Sequence, residues 1–529
     1  MNRQIICFNS YYLITGVSKI PYEINNDLTK WNAAYFRREN VGCYFDEENK
    51  ELRIPKGYPI ENIRDAFPYH DVIYGEEKFN KDKISIGLLN FPRDYIQENA
   101  LAFMTGNAPF GFTANETQLY VDLDTGLGKT FLMVATACYY RSRCVVFIPA
   151  VSKIGEQWMS TLEKFTTLSR DEYLYVQGSE MCKDIIKGKY NKVKVFIIPR
   201  STVLAFVRKY DDDWSMVTRL VDAMNVRIKA IDEAHMDFNT IVNIDCFTHT
   251  QKTYYMSSSP SRSDKVEKNI YKKVFKNVMK HGKKLKTKEQ NHIIPLIINF
   301  KSTPSVEWLK KIKTRYGTSQ AKYGEYLLAE DGAREEFLDA YAFSLYWLLK
   351  FRRRGGKILV LCITIEFAKE LSNITNKLFP YLTTGLFVGS GKDKNKELNN
   401  DIIFSTPKSM GTGSDGTEID LQMAINTITY ASDVMADQIP GRIRKQVGRK
   451  GIYCELVNIN HKVARKHYME REPYLIKKAK DGKLLTHTIT DSDLDALMKY
   501  FTKKQSYNKN GLLLDKNGRI VLHRRKIHD

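Results

Sequence analysis

QLYVDLDTGLGKT, residues Gln118 to Thr130, decides the fold. A short apolar run leads into a loop with two glycines, and the helical stretch FLMVATACYY comes at once after it. A strand that feeds such a loop and then a helix aims backbone N–H groups and a helix N-terminus at phosphate. In LDTGLGKT (Leu123, Asp124, Thr125, Gly126, Leu127, Gly128, Lys129, Thr130) the glycines permit close backbone approach. Lys129 then reaches β and γ phosphates, and Thr130 offers a hydroxyl to Mg2+. The full pattern GxxxxGK[ST] starts with glycine, where this chain has Leu123.

Around this loop the apolar runs CVVFIP, KVFIIP, RIKAID and KTYYMS alternate with longer helical stretches. That alternation predicts an α/β domain over residues 91–300, a parallel sheet with helices on both faces. RIKAIDEAHMD ends a strand on Asp232-Glu233-Ala234-His235. There Asp232 holds Mg2+ through water, and Glu233 orients and polarises an attacking water. In isolation such an acidic pair also serves as a helix cap. His235 lacks a partner at helical spacing and HExxH is absent, so no metal pair forms. KTYYMSSSPSR brings Ser257, Ser258 and Ser259 one strand further on. They are a turn in isolation; beside the acidic motif, Ser257 and Ser259 hydrogen-bond it and, with His235, couple it to the nucleotide.

Further out, EEFLDAYAFSLYWLLKFRRR is a long helix that stops at Gly355-Gly356, and the strands KILVLCI, DIIFST, NTITYA and GIYCELV come after it. These predict a second α/β domain over 341–460, after a linker at 301–340. Residues 1–90, with the hairpin GCYFDEENKELRIPKGY, form a small α+β domain. Residues 461–529 form a basic extension with the amphipathic stretch SDLDALMKYF and a terminal hairpin around DKNGRIVLHRRK. The basic run 261–288 fits a solvated helix, a hinge or a nucleic-acid contact. No internal repeat is visible.

At 529 residues the chain exceeds one hydrophobic core and, at roughly 100–200 residues per domain, divides into about three folding units. A composition 43% hydrophobic and 12% aromatic excludes a mostly disordered or collagen-like chain. No apolar run has the length of a membrane span, so no membrane partner is expected. The start, MNRQIICFNSYYLITG, is unlike a secretory signal, and the eight cysteines stand singly without a CxxC pair. The expectation is a reducing, intracellular setting, without structural disulfides or a zinc site. Lys and Arg total 82 against 61 Asp and Glu, and the net charge of +21 favours a polyanionic partner.

In chain order, RIPKGY, FPRDYIQENAL, LDTGLGKT, VVFIPAVSKIGEQW, IIPRSTVL, IDEAH, SSSPSR, KILVLCITIEFAKEL, FSTPKSMGTGSD and QIPGRIRK make a series. It resembles the motifs of superfamily 2 DEAH-type helicases and translocases, in the subgroup of phage UvsW-type, poxvirus transcript-release and XPB-like helicases. The resemblance covers residues 50–460. It implies two tandem RecA-like parallel-sheet motor domains, with ATP and Mg2+ as cofactors. It further implies DNA, single-stranded, duplex or branched, as the partner, with RNA as the other candidate.

Carried over by position, Tyr95 and Gln97 match the adenine-reading element, with Gln97 on the base edge. Gln157 with Trp158, and Ser201 with Thr202, match segments that lie along the nucleic-acid backbone, as do Thr406 and Ser409 in the second domain. Gly413 and Asp415 match the end of that motif near the nucleotide. Gln438, Gly441 and Arg442 match the QxxGRxxR helix, which supplies arginine fingers. Its final arginine falls on Lys445, with Arg444 one position early. Either Arg444 is the second finger, clamping a γ-phosphate with its planar fork, or Arg442 acts with Lys445.

The function implied is ATP-dependent movement along a nucleic-acid strand. One alternative is a duplex translocase or an annealing or branch-migration motor with little strand separation. The other is a non-hydrolysing nucleic-acid-binding module, against which Lys129, Asp232 and Glu233 count.

Overall fold

The strand Cys144–Ile148 is buried along its whole length and serves two cores, Val145 and Phe147 on one face and Cys144, Val146 and Ile148 on the other. A strand apolar on both faces needs helices on both sides, which is the condition of a parallel sheet. The computed structural model describes residues 3–32, 37–76, 82–107, 116–123, 127–150, 152–257, 265–281, 293–314, 317–353, 355–388, 394–410, 421–427, 443, 451–479 and 482–505. The chain forms two units, Met1–Leu285 and Lys286–Asp529.

The first unit begins with a mixed five-stranded sheet of β1 (Gln4–Cys7), β2 (Tyr11–Thr15), β3 (Tyr44–Asp46), β4 (Glu51–Pro55) and β5 (Asp71–Tyr74), in the order β3-β4-β2-β1-β5. The expected hairpin is β3 and β4, antiparallel with Tyr44 opposite Arg53. Helix α1 (Tyr22–Leu28) contributes Ile24 and Leu28 to the core beneath this sheet.

Next comes a parallel sheet of β6 (Gln118–Asp122), β7 (Cys144–Ile148), β8 (Tyr173–Tyr175), β9 (Val195–Pro199), β10 (Ile228–Ile231), β11 (Lys252–Ser257) and β12 (Met279–Lys280), in the order β8-β9-β7-β10-β11-β6-β12. On one face lie α2 (Tyr95–Thr105), α3 (Lys129–Tyr140) and α4 (Ser152–Phe165), burying Phe103, Leu132 and Trp158. The other face holds α5 (Arg200–Arg208), α6 (Phe238–Cys246) and α7 (Lys265–Val274). This second core is continuous with that of the N-terminal sheet, from Ile5 and Ile54 through Ile241 and Tyr271 to Phe147. Of the basic run 261–288, residues 265–281 are described, and 265–274 are helical.

In the second unit, β13 (Ile293–Phe300), β14 (Lys357–Leu361), β15 (Thr384–Phe387), β16 (Ile402–Ser405), β17 (Leu421–Asn426), β18 (Gly451–Asn458) and β19 (Leu485–Thr488) form another parallel sheet, in the order β15-β16-β14-β17-β18-β13-β19. Each strand stands where the strand seven places earlier stands in the first sheet. The two sheets therefore share one topology, and the fold is a tandem pair of RecA-like domains behind an α+β region.

Several expected boundaries differ. Ile293–Phe300, assigned by its sequence to the first domain, pairs with Gly451–Asn458 in the second sheet. Residues 301–340, expected as a linker, contain the helices Val306–Ile312 and Gln320–Leu328, whose Trp308, Tyr326 and Leu327 enter the second core. Part of the expected extension also belongs to this unit: Leu485–Thr488 pairs with β13, and the helix Asp491–Gln505 buries Leu497 and Phe501. A strand runs over Leu421–Asn426, and residues 428–431 of the strand expected at NTITYA lie outside the described residues. The expected terminal hairpin lies outside the described residues. No helix among the described residues is long and apolar enough to cross a membrane. All eight cysteines are free and buried.

Candidate functional site

The C-terminal ends of β6, β10 and β11 meet at one place. Leu123, just past β6, donates its backbone N–H to Ser257 O at the end of β11 (3.2 Å), and Ala234, past β10, donates to Met256 O (2.9 Å). The end of β11 thus ties the start of the glycine loop to the acidic motif.

In the loop, Gly128 adopts φ +85°, and a Cβ there would stand 2.3 Å from Gln97 Nε2. Only glycine fits. Gln97 Nε2 donates to Leu127 O (3.0 Å), and its Oε1 accepts the N–H of Arg93 (3.0 Å). Gln97, expected on an adenine edge, spends one donor on the loop and one acceptor on the turn before its own helix. The neighbouring Tyr95 ring is 65% exposed. Lys129 opens α3 and folds back, its Nζ donating to Leu123 O (3.1 Å) at 8% exposure. Thr130 comes next, half-buried.

Asp232 carries both ends of its carboxylate in hydrogen bonds. Oδ2 accepts the indole N–H of Trp158 (2.9 Å), and Oδ1 accepts the N–H of Glu233 (2.9 Å). Burial and the adjacent Glu233 push its pKa up, while the Trp158 bond and the charge of Lys129 oppose the rise. Glu233 sits at φ +47°, a conformation uncommon for a side chain of that size. Its Oε2 is buried, has no hydrogen-bond partner among the described residues, and lies 3.3 Å from His235 Nδ1. His235 Nδ1 lies 2.7 Å from Ser257 Oγ.

Two residues take on roles here that their sequence did not show. Trp158, expected along a nucleic-acid strand, is 1% exposed and holds Asp232. Arg200, within IIPRSTVL, is equally buried: NH1 donates to Asp232 O (2.7 Å) and Nε to Asp237 Oδ2 (3.2 Å). Burial draws its pKa down against the pull of Asp237. An arginine directly after the apolar strand VFIIP was the available signal.

Gln157 is half-buried on α4; Ser201 is exposed and Thr202 buried on α5. In the second unit Thr406 comes just after β16 and donates from Oγ1 to Ser409 Oγ (3.0 Å). Asp124, Thr125, Gly126, Ser259, Gly413, Asp415, Gln438, Arg442 and Arg444 lie outside the described residues.

Mg2+ takes oxygen ligands and binds proteins through one or two carboxylates plus phosphate and water. The buried Asp232 carboxylate and the Thr130 hydroxyl, both oxygen donors, fit that chemistry.

Residues 91–252 match the family described as Type III restriction enzyme, res subunit. No curated protein matches the chain. Similar solved structures include S. cerevisiae Dbp5 bound to RNA and ADP BeF3, at 15% identity and TM-score 0.47 over 77% of this chain and 93% of that one. The Pyrococcus furiosus Hef helicase domain has 13% identity and TM-score 0.44 over 71% and 97% of the two chains. Mss116p bound to ssRNA and AMP-PNP has 12% identity and TM-score 0.46 over 73% and 74%.

Proposed function

We propose that this chain is a superfamily 2 helicase or translocase that hydrolyses ATP in response to nucleic acid, with DNA as the substrate strand. The observation that carries the reading is the buried Glu233 Oε2, which has no hydrogen-bond partner among the described residues and stands beside Asp232, itself near enough to Lys129 to feel its charge. An enclosed carboxylate oxygen left open to accept is what an attacking water needs. The family match over the same residues supports it.

In this reading Lys129 exchanges its bond to Leu123 O for the β and γ phosphates. Glu233 Oε2 accepts a hydrogen bond from the water and directs it at the γ-phosphorus. Asp232, held by Trp158, and Thr130 would hold Mg2+, which neutralises charge on the phosphate oxygens when bound. Tyr95 offers an exposed ring to the base. Arg442 with Arg444 supplies cationic stabilisation on the sequence resemblance. Ser201, Thr202, Thr406, Ser409 and Gln157 are proposed strand contacts.

The test is phosphate release by the full chain with Mg2+ and ATP, alone and with single-stranded, duplex or branched DNA or RNA. Stimulation by nucleic acid is expected; no hydrolysis under any condition would leave the non-hydrolysing binding module. A second reading, duplex translocation with little strand separation, draws on the match to the restriction res-subunit family. Displacement of a triplex strand without separation of a duplex would favour it.

A further inference from the structure

Arg200 reaches across the end of the first parallel sheet. It comes directly after β9 and opens α5, and β9, β7 and β10 are neighbours in that order. Its side chain therefore spans two strand spacings, roughly 10 Å, to the end of β10. There one terminal guanidinium nitrogen donates to Asp232 O (2.7 Å) and lies 3.5 Å from Phe147 O on β7, while Nε donates to Asp237 Oδ2 (3.2 Å). The other terminal nitrogen is buried and has no hydrogen-bond partner among the described residues. One side chain thus holds the loop 232–237 at both of its ends.

That loop carries uncommon backbone at two places. Glu233 has φ +47°, and Asp237, directly before α6, has φ +50°. Aspartate tolerates the left-handed region, whereas a longer side chain without a local hydrogen bond adopts it seldom. A half-turn of the peptide between Asp232 and Glu233 would return Glu233 to ordinary extended backbone. The peptide is one rigid plane, and both of its polar groups are held against that turn. Its carbonyl oxygen accepts from Arg200, and its N–H donates to Asp232 Oδ1 (2.9 Å). Of the two holds, the one from Arg200 comes from a different element of the fold.

We propose that Arg200 is a positioning residue for hydrolysis: by holding the Asp232 carbonyl and the Asp237 carboxylate it keeps the peptide between Asp232 and Glu233 in the orientation that sends the Glu233 side chain toward the attacking water. The inference rests on the ATPase reading of the site. It gives the segment IIPRSTVL a part in the chemistry besides the strand contacts proposed for Ser201 and Thr202. It also requires the two-armed guanidinium, since a point charge cannot grip both ends of the loop in a fixed geometry.

Arg200→Lys keeps the charge and loses the fork. Hydrolysis is followed in a single turnover, with enzyme in excess over ATP and with whichever of single-stranded DNA or RNA stimulates the wild type more; nucleotide affinity is measured separately, and folding by thermal unfolding. The rate should fall by about 10- to 100-fold, the scale of a hydrogen bond that involves a charged group, with nucleotide affinity unchanged. In a Glu233→Gln background the same substitution should cost nothing further, because the carboxylate that Arg200 positions is already gone. A merely structural arginine would add its loss to that of Glu233→Gln. The Asp237 side chain is half-exposed, so Asp237→Ala removes the outer hold with little burial at stake and should show the same pattern. It decides the matter if Arg200→Lys does not fold. A wild-type rate, a loss of nucleotide affinity at unchanged rate, or losses that add to that of Glu233→Gln overturn the proposal while leaving the ATPase reading intact. Absence of hydrolysis by the wild type overturns both.

Discussion

Trp158 Nε1 donates a 2.9 Å hydrogen bond to Asp232 Oδ2, inside the first RecA-like domain and away from solvent. A tryptophan on one helix therefore fixes the carboxylate at the end of a strand 74 residues later. Burial raises the pKa of this carboxylate, and the indole N–H is one of two donors that favour its ionised form.

Trp158→Phe should keep the packing and remove that donor. The Asp232 pKa, already raised by burial, then rises further. Mg2+ binds the ionised form, so it must displace a proton more often. The Mg2+ concentration for half-maximal hydrolysis should rise about tenfold, the worth of a hydrogen bond to a buried charged group. The defect should be larger at pH 6 than at pH 8. Nucleic-acid affinity, measured in parallel, should not change; a selective loss of that affinity would return Trp158 to the strand-contacting role.

Lys129→Ala should abolish hydrolysis, since among the described residues of the loop no other cation can reach the phosphates. Glu233→Gln should retain nucleotide binding and lower kcat by about 10²- to 10⁴-fold, because the amide keeps the shape without the basicity. Nucleotide binding by fluorescence and single-turnover hydrolysis separate the two effects. Wild-type turnover in either variant removes the proposed site.

Beneath the acidic motif lies a fully buried network: Lys229 Nζ donates to Asp245 Oδ1 (2.7 Å) and Thr248 Oγ1 (2.6 Å), and Tyr255 OH to Asp245 Oδ2 (2.8 Å). Burial pushes the Asp245 pKa up and Lys229 opposes it. Lys229→Met should destabilise the fold by about 3–5 kcal/mol by leaving the carboxylate unpaired. With the folded pKa raised, the folded state binds the proton more tightly than the unfolded state. The loss should therefore be smaller at pH 5 and grow as pH rises through the folded pKa. Lys229→Met with Asp245→Leu should recover most of it. Urea unfolding at the two pH values is the measurement, and a pH-independent loss would contradict the account.

For the arginine segment, Arg444→Ala should lower kcat by orders of magnitude with nucleotide affinity nearly intact, because a finger acts mainly in the transition state. Lys445→Ala should be mild, since a helical step of about 100° turns the two side chains apart. The reverse result in single-turnover hydrolysis would give the role to Arg442 with Lys445.

The sequence by itself determined the features that depend on short range. Apolar runs such as QLYVD and IKAI announce buried strands, and the residues directly after them, LDTGLGKT and DEAH, stand where each strand ends. That the glycine loop, the acidic pair and Ser257 each stand directly at a strand end was legible because each placement needs only its own residue types at its own spacing. Tertiary structure alone decided which elements share a sheet. Nothing within IIPLIINF says whether it pairs with the strands before it or with Gly451–Asn458 far behind it, because a strand buried on both faces looks alike in either sheet. The matching strand order of the two sheets was hidden for the same reason: topology is a property of pairing, and the two halves share it without a shared sequence repeat. Trp158 and Arg200 acquired their place beside Asp232 only when α4 and α5 packed on opposite faces of one sheet, and Tyr271 met Tyr120 only when α7 closed over β6. Contacts between residues tens or hundreds of positions apart come from packing, and no local pattern encodes them.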